Sequence, residues 1–255
     1  MIFDTHAHYD DQKFDQDRYG ILDSLFSNGV SGVLNCATAI ENFSETLQLS
    51  KRYEKVYAAL GIHPSDCYRY KSLEDSLQIL EDTIRDNDVR ALGEIGLDYH
   101  YDFSPKEKQI PYFEAQLELA HKLGLPAVIH DREAHGDVFE RLRAFKGTAI
   151  IHSCSESAET VRQLCRMGHY VSFSGSVTFK NANSVREAAK AVPDELLLVE
   201  TDSPYMAPVP LRGTRNESLN IKYIIGVLAE VKGSTPEYIE QITEENAKRL
   251  FKIDT

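Results

Sequence analysis

Eight short apolar runs, separated by stretches of helical periodicity, leave this chain few folds to choose from. They are "MIFDTHAH" (1–8), "VSGVLNCAT" (30–38), "VYAALGIH" (56–63), "VRALGEIGLD" (89–98), "PAVIHD" (126–131), "TAIIHSC" (148–154), "YVSFSG" (170–175) and "LLLVETD" (196–202). These runs are rich in Val, Ile and Leu, and their alternation with longer helical patterns is the signature of βα units around a parallel sheet. Eight such units predict closure into a TIM-type (β/α)8 barrel. A length of 255 residues with 42% hydrophobic content suffices for one such domain over residues 1–255. No internal repeat, low-complexity tract or linker interrupts it.

The connecting helices carry start and stop signals. In "SPKE" (104–107), Ser104 is expected to cap, Pro105 to fit the first turn and Glu107 to complete a capping box. Ile110, Phe113, Leu117 and Ala120 follow as a stripe at helical spacing, and Gly124 with Pro126 ends the helix. Past the eighth run, "PLRGTR" (210–215) reads as a polar loop. Two more helices follow, the last opening at "STPE" with Ile239, Ile242, Leu250 and Phe251 inward.

Charge and cysteine usage narrow the function classes. Lys and Arg number 28 against 40 Asp and Glu, a net charge of -12, the wrong sign for a protein that grips nucleic acid through a broad basic surface. Any nucleic-acid substrate must be held locally. Cys36, Cys67, Cys154 and Cys165 have neither C-x-x-C spacing nor a disulfide framework and are read as reduced thiols. The N-terminus lacks a signal-peptide pattern, and no run approaches the ~18 apolar residues of a membrane span. A cytoplasmic protein with no membrane association and no obligate protein partner is expected.

Strands of a closed barrel should be apolar, so polar residues at their ends are informative. His6 and His8 close the first run and share one face of a strand with Asp4. His63 closes the third, Glu94 and Asp98 lie in the fourth, and His130, His152 and Asp202 fall at the fifth, sixth and eighth. Parallel strands bring their C-terminal ends to one face, where barrel enzymes keep their active sites. Of nine histidines, five sit at such ends, a repetition that scattered core histidines do not explain. Four imidazoles (His6, His8, His130, His152) with Glu94 and Asp202 exceed the three protein ligands of one catalytic zinc. Two divalent ions fit better, with Glu94 as candidate bridge. Imidazole suits zinc, manganese or nickel better than magnesium, and identity among the four stays open.

The motifs "DTHAHYD" (4–10), "GIHP" (61–64), "GEIGLDY" (93–99), "VIHDREA" (128–134), "HSCS" (152–155), "VSFSGSVTFKNA" (171–182), "ETDSPYMAP" (200–208) and "RGTRNE" (212–217) together resemble the TatD family of metal-dependent hydrolases, over essentially the whole chain. The resemblance implies one ion on His6, His8 and Asp202, a second on His130 and His152, and Glu94 shared. It implies that His63 sits near the ions and binds a phosphate oxygen, while Asp98, Arg132, Lys180, Arg212 and Arg215 line the cleft. Three departures stand out. "HSCSE" (152–156) stands where the family has an aromatic residue and Ser-Gly, "RNES" (215–218) stands where it has Arg-Asn-Glu-Pro, and Tyr9 replaces a common leucine, a change expected to affect packing alone.

The activity so implied is phosphodiester hydrolysis by a deoxyribonuclease or exonuclease, on single-stranded DNA, with Asp202 accepting the proton of a metal-activated water. The alternative is hydrolysis of an ester or amide, such as an aminoacyl ester on RNA. Tyr99, Tyr101 and Phe103 could stack bases, but loop packing is the favoured expectation for them.

Overall fold

The computed structural model describes residues 1–101 and 103–253. Eight parallel strands alternate with helices: β1 (Ile2–Ala7), β2 (Val30–Ala37), β3 (Val56–Leu60), β4 (Val89–Asp98), β5 (Ala127–Arg132), β6 (Ala149–Ile151), β7 (Tyr170–Phe173) and β8 (Leu197–Val199). The helices are α1 (Arg18–Ser27), α2 (Phe43–Arg52), α3 (Leu73–Arg85), α4 (Lys106–Leu123), α5 (His135–Ala144), α6 (Ala158–Arg166), α7 (Asn183–Ala191), α8 (Ile221–Lys232) and α9 (Pro236–Phe251). The sheet runs in chain order from β1 to β8, the TIM-type (β/α)8 class. Each apolar run of the sequence coincides with one strand, β5 running one residue past its run to Arg132.

Contacts divide the chain into two units: Met1–Asn35 with the chain from His152 onward, and Cys36–Ile151. In the first, α9 packs on β1 and β8, and Phe3 stacks on Phe251 with ring centroids 5.9 Å apart. Ile239, Ile242, Leu250 and Phe251 are buried as the periodicity requires, and Thr235 caps the helix by accepting the Tyr238 N–H. Past β8, Asp202 N–H donates to the His6 carbonyl (2.9 Å) and His8 N–H to the Ser203 carbonyl (2.7 Å), fixing the end of β1 against the segment that follows β8.

In the second unit, β3, β4 and β5 pair in parallel through fully buried Ala58, Ala59, Leu60, Ile95, Val128 and Ile129. The start of α4 differs from the capping-box expectation. Pro105 is the N-cap and makes no side-chain bond, while the Ser104 hydroxyl donates to the Ser65 carbonyl and accepts the Tyr68 N–H. Proline's fixed φ already orders the entry, leaving Ser104 to tie together two loops. The buried face of α4 also carries two polar residues, Gln109 and Gln116, beside Phe113, Leu117 and Ala120.

All four cysteines are buried thiols. No helix among the described residues is long and apolar enough to cross a membrane.

Candidate metal centre

In the first unit, imidazoles and a carboxylate converge at the end of β1, at His152 and in the segment past β8. His6 is fully buried and His8 nearly so, and their Nε2 atoms lie 3.1 Å apart. His8 Nε2 is 3.4 Å from Asp202 Oδ1 and His6 Nε2 is 3.9 Å from the same oxygen. The His152 ring stacks on His6, centroids 4.0 Å apart. Donor atoms of His6, His152 and Asp202 all lie within 4.8 Å of one another. Burial pushes the Asp202 carboxyl up, but the bond from His8 and the fields of His152, His8 and His6 outweigh it and hold the carboxyl below its ordinary range. Asp202 adopts a left-handed backbone, φ 58°, which costs a non-glycine residue free energy and occurs where the surroundings dictate the conformation.

Two carboxylates orient this group: Glu200, which the sequence reading did not single out, and Asp4, which it noted only as sharing a strand face with His6 and His8. Glu200, fully buried, accepts through Oε1 from His152 Nδ1 (2.9 Å) and from the Ser153 N–H (2.8 Å). That turns the opposite ring nitrogen, Nε2, into the available ligand atom. The signal available for Glu200 was its place in the run "LLLVETD", two residues before Asp202, although both lie past the end of β8. Asp4, also fully buried, accepts from Thr201 N (2.9 Å), Thr201 Oγ1 (2.5 Å), Ser218 Oγ (2.6 Å) and His6 N (3.3 Å). It thus ties β1 to the residue preceding Asp202.

The second unit builds a matching group on β3, β4 and β5. Gly96 of β4 pairs with His130 of β5, and at φ 144° a Cβ there would lie 2.0 Å from the His130 carbonyl oxygen, so only glycine fits. Beside this close approach, Glu94 Oε1 is 2.7 Å from His130 Nδ1 and Asp98 Oδ2 is 3.1 Å from His130 Nε2. His63 Nε2 lies 3.5 Å from Glu94 Oε1, and its Nδ1 accepts the Ser65 N–H at 3.1 Å, which makes Nε2 the protonated nitrogen of the neutral ring. Burial pulls the His63 imidazole below its ordinary pKa, with Glu94 opposing. Burial pushes the Asp98 carboxyl up, and the bonds from His130 and the Tyr101 N–H bring it below the ordinary value.

The buried glutamines of α4 hold these strand ends. Gln109 pairs with both backbone groups of Asp98 (2.9 and 2.8 Å) and Gln116 with both of Ile62, the residue before His63 (2.8 and 3.0 Å).

Imidazole nitrogens and carboxylate oxygens gathered in two buried groups are the donor chemistry of zinc, manganese or nickel, and the residues fit such ions. The structure places His152 beside His6 and Asp202, and joins His63 and Glu94 to His130. Of the expected substrate residues, Asp98 belongs to the second group. Arg132 is exposed with its guanidinium 4.8 Å from the Tyr101 ring, Arg212 is exposed over Phe179 at 4.2 Å, and Lys180 is exposed. Arg215 is engaged elsewhere, bonding both Asp17 oxygens (2.8 and 2.5 Å) and the Lys13 carbonyl.

Two of the three sequence departures prove to be partners. Tyr9 packs on Phe14 as expected, but its hydroxyl also accepts the Ser218 N–H (2.9 Å) and lies 2.8 Å from Ser218 Oγ. A proline at 218 has no N–H and a leucine at 9 no acceptor, so the Tyr–Ser pair replaces a combination that needs neither.

Comparison with known proteins adds the family. The family model described as TatD related DNase matches residues 3–252. The uncharacterized metal-dependent hydrolase YabD of Bacillus subtilis is 38% identical, covering 100% of both chains. The 3'-5' ssDNA/RNA exonuclease TatD of Citrobacter koseri is 30% identical, covering 99% of each. Among solved structures, the TatD homologue YjjV of Escherichia coli K12 superposes with a TM-score of 0.91 at 29% identity, covering 99% of this chain and 98% of that one.

Proposed function

The chain belongs to the TatD-related DNase family of metal-dependent hydrolases, and from that premise we propose that it hydrolyses phosphodiester bonds of single-stranded DNA in the cytoplasm. The observation that carries the reading is the pair of buried imidazole–carboxylate groups, each able to hold a divalent cation. His6, His8, His152 and Asp202 would hold one ion, and His130 with Glu94 the other. Glu94, which the resemblance shares between two ions, is assigned here to the second group through its contact with His130. Bound there, two divalent cations offset the negative charge of a diester and bring the pKa of a water toward ~7.

The protein's own residues supply the rest. Asp202, held below the ordinary carboxyl range, is ionised at neutral pH and accepts the proton of the attacking water. His63 presents Nε2–H, a donor suited to a phosphate oxygen. Arg132, Lys180 and Arg212 are assigned to the substrate, the cations meeting backbone phosphates that the chain's overall acidity would otherwise repel, while Asp98, both of whose oxygens are engaged, is assigned to positioning His130 and the loop after β4. Arg215, engaged by Asp17, is assigned to holding its loop. The Citrobacter relative, named as an exonuclease on single-stranded DNA and RNA, supports this substrate class.

The test offers metal-loaded protein a labelled single-stranded oligonucleotide and an aminoacyl ester side by side. Nucleotide release with the ester left intact is expected. Ester cleavage with the oligonucleotide left intact overturns the nuclease reading and selects the aminoacyl ester.

A further inference from the structure

The loop that leaves β4 carries three aromatic residues, and the structure separates their roles. Tyr99 is spent on the fold: its hydroxyl donates to Asp137 (2.7 Å) and Lys106 covers its ring at 4.6 Å. Tyr101 and Phe103 are not buried as loop packing would require. They stack on each other, centroids 5.6 Å apart and planes 24° from parallel, and remain 45% and 61% exposed. Phe103 is the most exposed large hydrophobic side chain among the described residues. Leaving two stacked rings in water forgoes the hydrophobic free energy that burial would give, which marks a surface that meets something apolar and flat.

Two further observations say what. The Arg132 guanidinium sits 4.8 Å from the Tyr101 ring centroid, placing a positive charge beside the rings. Asp98 connects them to the metal-binding group: its Oδ1 accepts the N–H groups of His100 (3.0 Å) and Tyr101 (2.9 Å), while its Oδ2 lies 3.1 Å from His130 Nε2. One buried carboxylate therefore sets both a candidate metal ligand and the start of the aromatic stack. An apolar face with an adjoining cation matches a nucleobase and its phosphate. The charge of -12 reinforces this, because phosphate contacts alone hold a strand poorly to an acidic protein, whereas stacking does not depend on counterion release.

We propose that Tyr101 and Phe103, flanked by Arg132, form a nucleobase-stacking subsite for a single-stranded nucleic acid. The proposal deepens the nuclease reading and rests on it for the identity of the substrate. The test measures binding and cleavage separately. Fluorescence anisotropy follows a labelled, cleavage-resistant phosphorothioate oligonucleotide on the metal-loaded protein, with an abasic strand of equal length as control. Phe103→Ala and Tyr101→Leu are each expected to weaken the base-bearing strand about tenfold and to leave the abasic strand unchanged. Phe103→Trp is expected to bind as tightly as wild type. Equal effects on both strands, or none on either, overturn the proposal. Cleavage of an ordinary oligonucleotide is assayed alongside, and a protein that discriminates bases but releases no nucleotide refutes the nuclease reading instead.

Discussion

Glu200 Oε1 accepts the Nδ1–H of His152 at 2.9 Å from a position with no solvent exposure. The same oxygen takes the Ser153 N–H at 2.8 Å, so ring and backbone are held by one atom. A carboxylate behind a ligating imidazole fixes its tautomer and raises its basicity, and its loss typically costs 10- to 100-fold in metal affinity. Glu200→Ala is expected to weaken metal binding by about that factor in calorimetric titration. Glu200→Gln, which keeps a carbonyl acceptor, should fall between the two. Equal affinities in all three proteins would remove Glu200 from any role at the centre.

Asp202 combines a left-handed backbone with a carboxyl held low by the histidines around it. If it takes the proton of the attacking water, Asp202→Asn measured at saturating metal should lower kcat by about 10²- to 10⁴-fold, the usual contribution of a general base. KM should change little. A KM effect with kcat intact would assign Asp202 to binding alone.

Tyr9 and Ser218 should be energetically coupled. Tyr9→Leu leaves the Ser218 N–H without its acceptor, and Ser218→Pro leaves the Tyr9 hydroxyl without that donor. Each single substitution is expected to cost about 1–3 kcal/mol. The double variant should cost less than the sum by about 1 kcal/mol or more in denaturant melts, since each replacement removes what the other strands. Strict additivity would mean that the two changes are independent.

Asp4 offers a pH test. Burial pushes its carboxyl up to about 7, against the hydrogen bonds from Ser218, Thr201 and the His6 N–H. Folding therefore favours the protonated form over the unfolded chain, whose carboxyl titrates near ~3.9. The resulting stabilisation is complete below about pH 4 and is lost as pH rises through about 7. In chelator-treated protein, the Tm advantage of wild type over Asp4→Asn should shrink as pH rises from about 5 to 8. An advantage that grows over that range contradicts the shift.

The fold was largely legible because eight apolar runs at βα spacing leave little choice of architecture, and each coincides with one strand. The histidines and carboxylates were legible because they interrupt strands that should be apolar. What escaped were residues whose work is done through backbone or through one another. Glu200 sits next to a recognised ligand run yet acts on His152, 48 positions earlier in the chain. Gln109 and Gln116 lie on a helix face that periodicity reads as apolar, and the contacts that use them are made with strand ends 11 and 54 positions away. The Tyr9–Ser218 pairing joins residues 209 apart, each explicable alone as a local change. Exposure, too, is hidden from pattern: Tyr99, Tyr101 and Phe103 read alike, and only coordinates separate the tethered ring from the stacked pair.

The most direct measurement of the central claim is the metal content of purified protein by elemental analysis, for wild type, His6→Ala and His130→Ala after equilibration with zinc or manganese. About two equivalents are expected in wild type and about one in each variant, each substitution emptying its own group. Wild type without bound metal, or variants that keep the full complement, would contradict the assignment of these two side-chain groups as the metal centre.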